Sequence, residues 1–407
     1  MATTRFRTLT EHSLLFWGMI AANAALLMLG LGAALYMEEH GHVVTGMSNA
    51  VVWGLPHVFA VFLIVSASGA LNIASISSVF NRLAYKPYAR LSGVLAIALL
   101  AGGLMVLVLD LGRPERVFVA VTHNNFRSIF AWNIYLYSGF VAIVAAYLFS
   151  MMDRRASRSE TLGKGVAWTA FAWRLALTTG TGSIFGFLIA REAYDAAIMA
   201  PLFIAASFLY GLSFTVAVLI TMGREVRSEL MDEEMISKFG GLLLIFALSV
   251  LFLTAVQYLT RFYSAGHRGV VLFLLWEGGV YPLVFWLGQI VVGSLVPIGL
   301  LLSRRAAGTS RRALMLVSVL FLIGGLCQFY VIIIGGQAWP LDIFPGYEAS
   351  SSFSDGEIAR YVPTLPEALL GLSGVALAML LITLALRILP FLPAGRGPEA
   401  GMRTRSA

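Results

Sequence analysis

The run Asp110-Leu111-Gly112-Arg113-Pro114-Glu115-Arg116 concentrates the most chemistry in this 407-residue chain. It closes the third of about ten apolar runs, so it falls at a bilayer boundary. A chain that lies mostly in lipid keeps ionised side chains near its spans only for a reason. An Asp and an Arg three apart around a Gly, stopped by a Pro, form a charged corner able to hold a polar head group. A plainer reading competes on residue types alone. Asp110 could pair with Arg113 or Arg116 across one turn and simply hold a helix end.

Other polar groups reach a similar depth. His57 follows Pro56 near the end of the second run, and His123, Asn124, Asn125 and Arg127 precede the fourth. Asn133, Tyr135 and Tyr137 lie just inside it. Together they offer hydrogen-bond donors, an imidazole, a carboxylate and aromatic faces. A quinone head group needs donors to its two carbonyls and a group to exchange its protons. Interfacial His and Tyr also serve as plain membrane anchors. Deeper in the membrane, Arg174 is expected about eight residues into the fifth run, roughly 12 Å at 1.5 Å per residue. Glu277 is expected as deep from the other side. Such charges read as a proton or ion relay, as a buried ion pair, or as an Arg snorkelling to the interface.

Several chemistries are excluded. A bis-histidine haem within the bilayer needs two facing imidazoles, and only His57 lies in a span; His40 and His42, spaced i, i+2 in a loop, do not share a helix face. The single cysteine, Cys327, rules out a disulfide framework, a cysteine-held iron–sulfur cluster or a cysteine-rich zinc site in this chain. No phosphate-binding glycine loop is present, and no metal site is expected. The net charge of +7 does not point to nucleic acid, because the charges sit in short loops between apolar runs.

The elements that must position these groups follow from composition. Hydrophobic residues make up 59% of the chain and charged ones 12%, with mean hydropathy +0.84. A soluble domain carries roughly a quarter charged residues, so the expected fold is all-α, a polytopic membrane protein. With about 20 residues per span, ten spans are expected: 13–36, 53–80, 90–110, 129–152, 166–190, 197–222, 239–262, 270–302, 313–336 and 366–390. The first is too long for a signal core and reads as retained. The eighth is too long for one straight helix, and Gly278-Gly279, Pro282 and Pro297 predict a kink or break. Small-residue runs at Ser66–Ala70 and Thr178–Ser183 predict close helix contacts. The expected organisation is one membrane domain: an N-terminal span 13–36, a bundle 53–190 carrying the polar site, a second bundle 197–336 and a C-terminal span 366–390. Twenty Lys and Arg fall on the side of the N-terminus and seven on the other. The positive-inside rule then puts both termini in the cytoplasm and turns the Asp110 corner, five of the six histidines and the acidic loop 337–365 outward. That outer face is a candidate docking surface for a soluble partner.

Trp53-Gly54-Leu55-Pro56 opening a span, Ser66–Ala70, the Asp110-Leu-Gly-Arg113-Pro114 corner and Trp132-Asn133 leading the next span resemble the NrfD-like family of polysulfide reductase membrane subunits. The resemblance covers roughly residues 50–300, and ten spans with an extra helix at each end look most like the DsrP branch of the DsrMKJOP complex. It implies a multi-pass subunit of the bacterial inner membrane that carries no haem or iron–sulfur cluster. As the quinone-reactive part of an oxidoreductase complex, it would exchange electrons between ubiquinone or menaquinone and a periplasmic, ferredoxin-like iron–sulfur subunit. Cytochrome and other membrane subunits are further implied partners, and sulfur metabolism the implied setting. The charged corner maps to Asp110 and Arg113. The family's quinone-site His lies about one turn from His57, and Thr181 or Ser183 stands where a later Tyr is expected. The deep charges correspond to Arg174 and Glu277. The expected head-group contacts are His57, Asp110, Arg113, Asn133 and Tyr135, with Arg113 polarising a carbonyl and His57 or Asp110 exchanging the proton. Two other classes compete: a secondary transporter or proton channel subunit, for which internal repeats should be evident and are not, and a structural anchor that binds no quinone.

Overall fold

Helix after helix of near-bilayer length follows from this composition. The computed structural model describes residues 6–9, 13–152, 160–226, 230–305, 310–341 and 356–393. The elements are α1 (Leu14–His40), α2 (Leu55–Ala70), α3 (Asn72–Ser78), α4 (Ala89–Leu109), α5 (Val117–Thr122), α6 (Ile129–Met152), α7 (Glu160–Phe187), α8 (Met199–Glu225), α9 (Glu233–Tyr263), α10 (Arg268–Leu272), α11 (Val280–Leu283), α12 (Val296–Arg305), α13 (Arg311–Tyr330), α14 (Gly336–Ala338) and α15 (Leu365–Ile388). Three π-helical stretches, Phe273–Glu277, Val284–Leu295 and Val331–Gly335, connect the later ones.

Nine helices among the described residues are long and apolar enough to cross a membrane. The remaining expected span is α7, a 28-residue helix. Arg174 and its Thr-Gly-Ser run make it less apolar, yet it packs against α2, α6 and α8. The protein is therefore an all-α, multi-pass integral membrane protein. Most of the acidic loop 337–365 falls outside the described residues.

Local chemistry sets the helix ends. Ser13, Asp232 and Ser310 cap α1, α9 and α13 through side chains that accept from backbone N–H groups. Thr364 and Glu367 form a reciprocal capping box at α15, with Pro366 in its first turn. The eighth run breaks as expected: Gly279 takes φ +63 between α10–Glu277 and α11. A second break is not foreshadowed in the sequence. The run 53–80 reads as one span, yet it divides at Leu71 into α2 and α3.

The core is built on α2, which packs against α4, α7, α8, α13 and α15. At the α2–α8 crossing a Cβ on Gly69 would lie 1.5 Å from the Ser207 carbonyl oxygen, so only glycine allows that approach. Helices α1 and α15 pack on each other, and α15 also packs on α4 and α2. Near the termini, a short antiparallel ladder, β1 (Phe6–Arg7) with β2 (Leu392–Pro393), sets the start and end of the described chain side by side.

Candidate functional site

The charged corner resolves into a carboxylate–imidazole pair. Asp110 is the C-terminal cap of α4, and its side chain is completely buried. An anion at a helix C-terminus meets the negative end of the macrodipole, so this Asp does not serve helix stability. His57, in the first turn of α2, places Nδ1 2.6 Å from Asp110 Oδ2. The two are at ion-pair distance but not in hydrogen-bond alignment, and among the described residues neither Asp110 oxygen receives a hydrogen bond. Buried carboxylate oxygens normally find donors. Asp110 therefore retains accepting capacity inside a nearly closed site.

Gly112 shapes the same corner and brings in a residue that helical spacing assigns only to a loop. Its φ of +68 turns the chain out of α4. A Cβ there would come 2.7 Å from His42 Nε2, so the imidazole of His42 occupies the space beside the glycine. His42 Nδ1 is buried and, among the described residues, has no hydrogen-bond partner. No sequence signal links His42 to Gly112, which lies far along the chain; the glycine alone marks the turn.

Aromatic faces flank His57. The Trp53 ring stacks with His57 and with Tyr194, each pair with centroids 6.2 Å apart. Phe130 and Phe185 approach Trp53 at 5.8 Å. The segment leading into α2 is clamped from several directions. Gln337 Oε1 accepts from the backbone N–H groups of Val52 and Trp53, each at 3.0 Å, and Arg191 donates to the carbonyls of Gln337 (2.9 Å) and Ala50 (2.8 Å). Burial lowers the Arg191 guanidinium from its usual range, although a nearby tyrosine, Tyr194, opposes that shift. Glu367, fully buried, accepts from Gly46 N–H, Thr364 N–H, the Thr364 hydroxyl and the Tyr361 hydroxyl at 2.7–2.9 Å. The Leu55 N–H donates in turn to the Tyr361 oxygen. His57 is thus held on a braced helix start.

The other expected residues part company. Asp110 pairs with His57 and not with an arginine, because residues 111–113 have left the helix and i, i+3 spacing no longer applies. Arg113 is exposed and makes no ion pair among the described residues. Asn133 is buried in the α6–α7 seam: its amide donates to the carbonyls of Ile129 (2.9 Å) and Gly180 (3.2 Å) and accepts from Thr181 (3.3 Å). Both its N–H donors are used within the protein. Tyr135 is exposed; its hydroxyl accepts from Asn124 and its ring stacks on Phe126.

Arg174 is buried near the middle of α7, deeper than the spacing suggests. Its guanidinium donates to Asn72 Oδ1 (2.9 Å) and, at 3.4 Å, to the Ser68 carbonyl beside the α2–α3 break. It lies 4.9 Å from the Phe208 ring centroid. No carboxylate partners it among the described residues, so the ion-pair and snorkelling readings both give way. Glu277 is exposed at the Gly278–Gly279 break rather than deep in the bundle. At the same end of the molecule as the corner, Asp195 pairs with Arg261 and, at 2.6 Å, with His267 Nε2. Sequence spacing alone does not assemble this second acid–imidazole pair. No group of three or more His, Cys, Asp or Glu among the described residues could hold a metal.

Fold and site together define a class: a helical multi-pass membrane protein with a buried acid–imidazole pair and aromatic walls at one end of its bundle. Residues 43–340 match the family model described as polysulphide reductase, NrfD, and the chain belongs to that family. It is similar to the Hdr-like menaquinol oxidoreductase integral membrane subunit of Archaeoglobus fulgidus, 29% identical over 95% of this chain and 96% of the relative. It is 22% identical to the NrfD homolog of Haemophilus influenzae over 70% of this chain and 95% of that protein. It is also 23% identical to the integral membrane subunit of menaquinone reductase from Nitratidesulfovibrio vulgaris, over 89% of each chain. The family match leaves α1 and α15 outside it.

Proposed function

We propose that this chain is the quinone-reactive membrane subunit of a multisubunit redox complex, with the head group bound beside His57 and Asp110 in the part of the chain spanning 53–190. One observation carries the reading: a fully buried carboxylate with unused accepting oxygens, 2.6 Å from an imidazole, at a helix end beside aromatic faces. Quinol oxidation releases two electrons and two protons, and quinone reduction takes up the same. Asp110 accepts a hydrogen bond from a quinol hydroxyl, and the His57–Asp110 pair takes or returns its proton. The rings of Trp53 and Phe130 suit a planar ligand. Arg113, exposed and without an ion pair among the described residues, supplies positive charge toward a carbonyl or a developing anion. Asn133 and Tyr135 act indirectly, by holding α6 against α7 and by fastening the segment 117–128. Arg174 and Glu277 are not part of one relay in this arrangement.

The electrons pass to or from a partner that carries the metal centres, a ferredoxin-like iron–sulfur subunit on the extracytoplasmic face. The names of relatives containing menaquinol and menaquinone favour menaquinone as the substrate. The inner membrane of a bacterium and a sulfur-metabolising complex of the DsrP type remain the setting we propose. In the purified complex, Asp110→Asn keeps the shape and removes the proton acceptor. Quinol-dependent electron transfer is expected to fall about 100-fold, the lower range for general acid–base catalysis, while artificial-donor activity of the partner subunits persists. An unchanged quinol rate would reject the site.

A further inference from the structure

A cavity of about 400 Å³ lies between α9 and the broken helix, lined by Tyr258 and Phe262 on one side and Leu275, Trp276, Phe285 and Trp286 on the other. It belongs to the half of the chain that the quinone site does not use. Its walls are almost wholly hydrocarbon and aromatic. The polar side-chain atoms among its lining residues are the Thr254 and Tyr258 hydroxyls and the two indole N–H groups. Thr254 already accepts from Gln328, and Trp286 Nε1 donates to the Leu275 carbonyl. Trp276 is exposed on the surface, so the cavity opens to the lipid side. A cation stands beside one wall of the cavity. The Arg268 guanidinium sits 4.9 Å over the ring of Phe262, itself a wall residue. Arg268 is exposed and makes no ion pair among the described residues.

We propose that this cavity binds an anionic phospholipid, with an acyl chain among Phe262, Trp276 and Trp286 and the phosphate paired with Arg268. The charge arrangement selects that occupant. An apolar cleft with one unpaired cation at its rim matches a hydrocarbon tail joined to a phosphate. A quinone head carries no formal charge and would leave the Arg268 guanidinium unused, whereas a phosphate pairs with it. The helix break creates the site: Gly279, at φ +63, redirects the chain between Trp276 and Trp286, whose rings meet at 6.2 Å.

The test uses the whole protein in nanodiscs of phosphatidylcholine, with an equal fraction of acyl-brominated phosphatidylglycerol or acyl-brominated phosphatidylcholine. Bromine quenches nearby tryptophans, and a Trp276→Phe/Trp286→Phe variant supplies the background of the remaining tryptophans. The expected result is stronger site-specific quenching by the anionic lipid, with about fivefold tighter apparent binding, as one basic residue near a lipid surface supplies. Arg268→Gln should abolish the preference and Arg268→Lys should restore it. Ala255→Phe, which fills the cavity, should reduce site-specific quenching by both lipids. Equal quenching by the two head groups, or a preference that survives Arg268→Gln, would overturn the proposal. So would displacement of the brominated lipid by stoichiometric menaquinone, which would make the cavity a quinone site.

Discussion

Asp110 and His57 show how far residue types alone can lead, and where they stop. Their depth and chemistry can be read from the chain, because an Asp ending an apolar run and a His opening another must lie at a boundary. The pairing cannot, because helical spacing favours Arg113. That argument fails at Gly112, where a positive φ ends the helical register. His42 is invisible for a related reason: its neighbour is a glycine, which offers no side chain to suggest a contact. Gly112→Ala tests both features of that turn. The strained φ alone costs about 1–2 kcal/mol, and the added methyl must displace His42. The expected outcome is a lower unfolding temperature in detergent together with weakened quinol oxidation. His57→Gln should resemble Asp110→Asn in its quinol rate while leaving the unfolding temperature nearly unchanged. If His57→Gln instead lowered stability and spared the rate, the pair would be a structural clasp.

At the scale of elements, α15 shows how a helix outside the family match braces the start of α2, where His57 lies. Its capping Glu367 gathers donors from Gly46, Thr364 and Tyr361, and Tyr361 holds the first backbone N–H of α2. The capping box is latent in the sequence as Thr364-x-x-Glu367; its reach to residue 46 depends on the fold. Similarly, the glycine pair at 278–279 announces its break, whereas the division of α2 from α3 at Leu71 has no Pro to mark it, and Gly69, two residues earlier, is already accounted for by the close α2–α8 contact. Glu367→Gln removes the charge from this hub, and hydrogen bonds to a charged group contribute about 1.5–3 kcal/mol. A loss of that order in denaturant or thermal unfolding is expected. Burial, reinforced by Glu367, raises the Tyr361 hydroxyl above its ordinary value of 10.0. A group whose folded value is raised contributes stability that is complete below the unfolded value and is lost above it. Tyr361 should therefore add no pH dependence between about pH 6 and 9, and stability should decline as pH rises beyond about 10. Tyr361→Phe should remove that alkaline component, which unfolding curves on the two proteins at matched pH would reveal.

For the whole molecule, the decisive question is which way the bundle faces. The paired strands near the two ends place both described termini at one end. His57, Asp110, Asp195 and the start of the broken helix gather at the other, because α1, α4, α7 and α9 all run toward it. An orientation that exposed the His57–Asp110 pair to the cytoplasm would bring electrons to the wrong compartment for the extracytoplasmic partner we propose. The distribution of Lys and Arg argues against it, since basic residues crowd the terminal end. Cysteine labelling decides the matter in a Cys327→Ala background. Asn49→Cys lies exposed in the segment before α2, at the site end, and Ala84→Cys lies exposed between α3 and α4, at the terminal end. In intact cells an impermeant maleimide should label Asn49→Cys, and Ala84→Cys only after permeabilisation. The reverse pattern would place the acid–imidazole pair on the cytoplasmic side, and the electron partner would then have to be sought there.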